Sequence, residues 1–237
     1  MPEIRLSVII PVGPDETAVP EGLLQDLNAL PDASEVIFVG CNPDTQITFL
    51  TTLPAKYKYI FASSGRAVQM NTGADEASGY FLWFLHLDSR FEPELSGQLL
   101  QNLRSYPDRL HYNLLEFISD GKVPMGVNAV GANLRSKLLG VPFGDQGFAI
   151  SKELFAHIGA YPESAPYGED HLFVWYARQQ GVKLLCNPYK LQTSARKYEQ
   201  KGWLYLTLKY QKLWLLQALP EFWKLIKLRY LPSRCQR

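Results

Sequence analysis

The chain has 237 residues, 46% apolar and 20% charged, with a formal net charge of +1. That length suits a single α/β domain with a mixed sheet covered by helices on both faces, and the composition excludes a disordered or fibrous chain. The near-zero charge gives no overall electrostatic reason to bind nucleic acid.

The three cysteines, Cys41, Cys186 and Cys235, are too scattered for a disulfide framework or a zinc motif, which fits a reducing cytosol. Residues 1–5 lead straight into a strand-like run without a secretory pattern. No run of eighteen apolar residues predicts a spanning helix. The expected location is cytoplasmic, with peripheral contact at the inner face of a membrane as an option.

Residues 6–12 are continuously apolar and end at Pro11, as in a strand buried on both faces. A helix is expected over 21–30 and a second strand over 35–39, which makes a βαβ unit with parallel strands. A third strand follows at 57–61. A helix over 65–77 comes next, with Gly79 at its C′ position. Residues 80–88 form the most hydrophobic run and end abruptly in polar groups, as a central strand does where an α/β sheet meets its ligand.

Beyond it the pattern predicts a helix over 93–105, a strand over 112–118 and a helix over 125–139. A glycine-rich loop and short strand over 143–151 follow, then a helix over 152–157 ended by Gly159. A helix over 169–180 has Gly181 at C′, and a last strand covers 182–186. No linker divides residues 1–200, which are read as one domain. Residues 201–237 are read as a helical extension, packed on the domain or lying at a membrane surface. Within it, residues 203–230 mix tryptophan and tyrosine with lysine and are expected to form two helices split near Pro220.

Four groups of residues carry possible chemistry. If the strand extends to its polar end, His86 and Asp88 project to the same side. Asp88 then either ends the strand and caps the next helix, or holds a divalent cation together with substrate phosphates. Glu169 and Asp170 open a helix, where the dipole favours acids. One of them, Asp170 by preference, can also serve as general base, with its neighbour raising its pKa. Asp145 and Gln146 lie between Gly144 and Gly147, in an ordinary turn or in a close approach of backbone to ligand. Arg66 is either a solvated helix arginine or a diphosphate contact.

The order of these segments resembles glycosyltransferase family 2, whose nucleotide-sugar fold is called GT-A. The matching motifs are Ser7-Val8-Ile9-Ile10-Pro11, Gly65-Arg66-Ala67 with Gln69-Met70-Asn71, and Phe84-Leu85-His86-Leu87-Asp88. Gly144-Asp145-Gln146, Gly159-x-Tyr161-Pro162 and Glu169-Asp170 complete the set. The chain is most similar to a bacterial subgroup with His-x-Asp in place of Asp-x-Asp.

The resemblance implies an inverting transfer from a nucleotide-diphosphate sugar, with Mg²⁺ or Mn²⁺ as cofactor. Asp88 would be the metal-binding acid, with His86 at the position of its usual partner. Asp170 would be the base, with Glu169 beside it. Arg66 and Asn71 would line the diphosphate pocket, Pro11 its nucleoside end, and Asp145 and Gln146 the donor-sugar and acceptor side. The acceptor is undefined, and a lipid-linked or membrane-proximal one is compatible. Two positions depart from the family pattern. Glu16 stands in a Gly13-Pro14-Asp15-Glu16 loop where an Asn-Glu pair is usual. Gly40 replaces the nucleoside-contacting acid, with Asp44 the nearest substitute. The latter departure leaves open a second reading, a binding protein that has lost turnover.

Overall fold

The computed structural model describes residues 5–31, 34–42, 56–118 and 123–230. Among them, seven strands form one sheet in the order β3-β2-β1-β4-β6-β5-β7. The strands are β1 (Leu6–Pro11), β2 (Glu35–Gly40), β3 (Tyr57–Phe61), β4 (Phe81–Phe84), β5 (Arg109–Ile118), β6 (Ala149–Ser151) and β7 (Lys183–Ser194). β1 pairs in parallel with β2 and β4, as the apolar runs predict. β6 runs antiparallel to β4 and β5.

The helices are α1 (Glu21–Asn28), α2 (Arg66–Glu76), α3 (Pro93–Ser105), α4 (Met125–Leu134), α5 (Lys152–Ile158), α6 (Glu169–Gln179), α7 (Arg196–Lys201) and α8 (Trp203–Tyr230). Successive side chains of β1 point to opposite faces, so each face has its own core. Val8 and Ile10 pack with Leu23 of α1 and Leu99 of α3. Ile9 packs with Met70 of α2 and Phe173 of α6. The result is one α/β layer architecture, a mixed sheet flanked by helices on both sides.

Several elements differ from the sequence expectation for identifiable reasons. β4 stops at Phe84, and the chain turns sharply over 86–89, where the Ser89 N–H donates to the His86 carbonyl at 3.1 Å. His86 and Asp88 therefore stand on a turn, not on the strand. Gly79 does not cap α2, which ends in an extended Ala77. It is small because a Cβ there would meet the Arg5 carbonyl at 2.8 Å and the Ser7 Oγ at 2.6 Å.

β7 is twelve residues long, since it pairs in parallel with all of β5 across an irregularity after Asn113. The C-terminal stretch is one helix of 28 residues running through Pro220, not two. The proline and Leu216, whose carbonyl it leaves without a helix donor, are both exposed residues. Side chains fasten the helix on both sides of it. Gln217 Nε2 donates to the Tyr167 carbonyl at 2.9 Å, and Gln179 Nε2 to the Glu221 carboxylate at 2.8 Å.

Candidate functional site

The strand order reverses between β1 and β4, the place where open α/β sheets hold their ligands. The turn after β4 opens into a cavity of about 600 Å³. Its polar end is walled by Arg66, His86, Asp88, Asp145 and Asp170, which come from four separate stretches of chain. Its lining also includes the aromatic side chains Tyr198, Trp203, Tyr210 and Trp214.

Asp170 is the most constrained of these groups. It sits in the first turn of α6 and is 9% exposed. Its Oδ2 accepts from the Gly144 N–H at 2.6 Å and its Oδ1 from its neighbour His171 N–H at 2.9 Å. Gly144 has to be a glycine, since a Cβ there would come within 2.8 Å of that Oδ2. Burial alone would push the Asp170 carboxyl up. The Arg66 guanidinium and the two backbone N–H groups outweigh it and hold the pKa below the ordinary aspartate value. That corrects the expectation that the adjacent acid raises it. Glu169 instead takes the Arg66 Nε–H at 2.7 Å, with Arg66 Nη2 3.8 Å from Asp170.

Asp145 is the opposite case. Burial, reinforced by the Asp170 and Asp88 carboxylates, pushes it up to about 6 against the pull of Arg135 and Arg66. Its Oδ1 is buried with no hydrogen-bond partner. The His86 imidazole is neutral at pH 7, since burial and the Arg66 and Lys197 cations hold its pKa down to about 3. Asp88 makes no hydrogen bond or ion pair among the described residues.

This chemistry fits a divalent cation held by one or two side chains and by substrate oxygens. Asp88 is free of any ion pair among the described residues, one buried oxygen of Asp145 has no partner, and an uncharged imidazole stands beside Asp88. No group of three ligands suited to hold a metal occurs among the described residues, so an all-protein cage is not the arrangement offered.

Four other expected residues stand outside the cavity wall. Asn71 clamps the loop after α5: its Nδ2 donates to the Tyr161 carbonyl at 2.9 Å, and its Oδ1 accepts from the Tyr161 N–H at 3.0 Å. Gln146 is fully buried and ties its loop to β5, its Nε2 donating to the Asn113 carbonyl at 2.9 Å. Both motif residues are therefore positioning groups in this structure. Pro11 ends β1, and Glu16 lies 3.7 Å from Arg196 Nη2. Asp44 lies outside the described residues. At Gly40, a Cβ would meet the Tyr59 hydroxyl at 1.7 Å, so the tyrosine fills the space that any larger side chain at position 40 would need.

Two cavity groups were not singled out in the sequence. Arg135 begins a single π-type turn, Arg135–Leu139, and lies over the Phe143 ring at 3.5 Å. Its Nε donates to the Val141 carbonyl at 3.0 Å, while its buried Nη2 has no partner. His171 accepts at Nε2 from Trp175 Nε1 at 2.8 Å, which leaves the proton on Nδ1 for Gln217 Oε1 at 2.7 Å. That neutral tautomer agrees with a pKa lowered by burial. Arg135 was hidden in a stretch whose only visible pattern was helical.

No family profile and no curated protein matches the chain in sequence. Solved structures do match in fold. One is a mannosyltransferase, PcManGT from Pyrobaculum calidifontis in complex with GDP-Man and Mn2+, with a TM-score of 0.61 and 18% identity over 80% of this chain and 56% of that one. Another is S. aureus TarS 1-349 in complex with UDP-GlcNAc, with a TM-score of 0.62 and 17% identity over 81% of this chain and 58% of that one. The fold is GT-A-like. At such identities the likeness is one of fold, and the chain spans little more than half the length of these solved chains.

Proposed function

We propose that the chain is a metal-dependent glycosyltransferase that moves a sugar from a nucleotide-diphosphate donor to an acceptor hydroxyl with inversion. The observation that carries this reading is the meeting of Arg66, His86, Asp88, Asp145 and Asp170 in one cavity at the carboxyl end of β4, on a GT-A-like fold. A divalent cation at Asp88, when bound, would neutralise the diphosphate as it leaves. Arg66, fixed by Glu169, faces the same phosphates as a preorganised cation. Asp170, ionised at neutral pH, keeps a lone pair on each oxygen beyond its two backbone bonds and takes the acceptor proton as the hydroxyl attacks the anomeric carbon. The uncharged His86 adds no positive charge of its own and is free to act as a nitrogen ligand.

Two observations favour narrower alternatives. Asp145, with an unpartnered oxygen and a pKa of about 6, competes with Asp170 for the role of base. Tyr59, filling the space that any larger side chain at position 40 would need, favours a protein that binds a ligand without turnover. One assay separates the three readings: release of nucleoside diphosphate from GDP- and UDP-sugars, with Mn²⁺ and a membrane-lipid extract as acceptor source. The proposal expects metal-dependent release from one donor, reduced at least about 100-fold in Asp88→Ala and Asp170→Asn. A large loss in Asp145→Asn with little in Asp170→Asn would move the base to Asp145. Binding without release would leave the binding-protein reading.

A further inference from the structure

α8 is apolar on two sides, and only one is used. Its inner side is buried through Leu206, Ala218 and Leu225, the latter two packing on Trp175 and Val141. Its outer side exposes Leu204, Leu208, Leu215, Leu219 and Phe222, at spacings of 4, 7, 4 and 3 that fall on a single stripe. Tyr205, Leu216 and Trp223 broaden that stripe, with Trp223 60% exposed. At 1.5 Å per residue the helix is about 42 Å long. Apart from the Phe222 ring meeting the edge of Trp175, nothing in the described structure covers this face.

We propose that the outer face of α8 docks on an anionic lipid bilayer, lying in the headgroup layer. The charge pattern selects this occupant. Lys209, Lys212 and Lys227 stand on or at the edge of the widened stripe, Arg229 lies near the helix end, and Lys224 pairs at 2.6 Å with Glu221, the helix's single acid. That acid turns inward, 5% exposed, and is held by Gln179 and Lys224. The face thus offers apolar side chains with cations and no free anion, the complement of acidic headgroups over acyl chains. A second copy of the chain would set lysines against lysines.

The surface continues onto α4, which is joined to the start of α8 by Trp203 Nε1 donating to Asn128 Oδ1 at 2.7 Å. Val130 and Leu134 on that helix and Leu138 on the turn after it are exposed, Val127 is exposed at the cavity lining, and no acid occurs over residues 125–139. The helix lies on the membrane and does not cross it: among the described residues no helix is long and apolar enough to span one. Because the inner side of α8 supplies Trp203, Tyr210 and Trp214 to the cavity, docking holds that cavity about one helix diameter, ~10 Å, from the headgroups.

The test is co-sedimentation of the full chain with phosphatidylcholine vesicles, with and without phosphatidylglycerol. The expected result is binding at least about tenfold tighter to the anionic vesicles, weakened by salt. Paired substitution Leu219→Glu and Trp223→Glu, at exposed positions outside the cavity wall, should abolish binding without moving the melting temperature. Lys212→Glu with Lys227→Glu should remove the preference for phosphatidylglycerol, and this second pair keeps the test decisive if the first fails to fold. Equal binding to both vesicle types, no binding, or binding indifferent to these variants overturns the proposal. So does a concentration-dependent dimer, seen by sedimentation velocity and dissolved by the first pair, in a protein that ignores vesicles.

Discussion

Replacing Asp145 by Asn keeps its shape and removes its charge, which makes it the sharpest probe of the cavity's electrostatics. In the folded protein burial and two neighbouring carboxylates raise this carboxyl from 3.8 to about 6. At about 1.4 kcal/mol per pH unit, holding the ionised form costs about 3 kcal/mol at pH 7. The sign follows from proton binding. Between pH 4 and 6 the folded state binds more protons than the unfolded one, so this group's penalty grows as pH rises through that window and is constant above it.

Asp145→Asn should therefore stabilise the metal-free protein by about 3 kcal/mol at pH 7, by about half that at pH 5, and by only about 0.5 kcal/mol near pH 4. For a chain of this size the pH 7 effect is a rise in melting temperature of about 6–12 °C. Differential scanning calorimetry in EDTA, at matched pH for both proteins, measures it. An unchanged or lower melting temperature at pH 7, or a gap that does not narrow on acidification, would refute the crowding of carboxylates inferred here.

Gly144→Ala should lower transfer at least about tenfold, because its Cβ displaces the Asp170 carboxylate from 2.8 Å, and steady-state rates would show it. Arg135→Met should lower ligand affinity, because it removes a cation from the cavity wall; calorimetric titration with the ligand that binds checks it. At the far end of the sheet, Glu35 is pushed up by burial but pulled further down, to about 2, by hydrogen bonds from Lys58, Ser7 and Ser78. Its depressed pKa contributes stability above pH 4.5 that is lost as pH falls toward 2. Glu35→Gln should thus cost about 2–3 kcal/mol at pH 7 in urea unfolding, and much less near pH 2.

The alternation of buried runs and helical spacings made the parallel half of the sheet readable, because a strand covered on both faces has to be apolar throughout. β7 extends beyond the 182–186 expected from sequence, through Pro188, because β5 supplies a long partner across a bulge, a contact that local pattern does not show. Pro220 marks a break in the local pattern, but anchors at Gln217 and Glu221, 42 to 50 residues away from their partners, hold the helix continuous.

In the site, Asp88 and Asp170 are legible because an apolar run ends at one and a helix opens at the other. Arg135 and the filling of the space at Gly40 by the Tyr59 side chain are not, since both depend on contacts between distant segments. Asn71 and Gln146 show the converse. Motif residues that stand near a site in sequence turn out to hold its walls, spending their amide groups on backbone carbonyls and N–H groups.

The central claim is that the acid-rich end of the cavity receives a nucleotide-diphosphate sugar. The most direct measurement is the melting temperature of the wild type and of Asp88→Ala with UDP, GDP, TDP and their sugars, each with and without Mn²⁺. At a ligand concentration 100 times its dissociation constant, binding adds about 2.7 kcal/mol, or about 5–10 °C for a chain of this size. The account predicts such a rise for one nucleotide, dependent on Mn²⁺ and absent in Asp88→Ala. No rise with any of them, or one that Asp88→Ala retains in full, would contradict it.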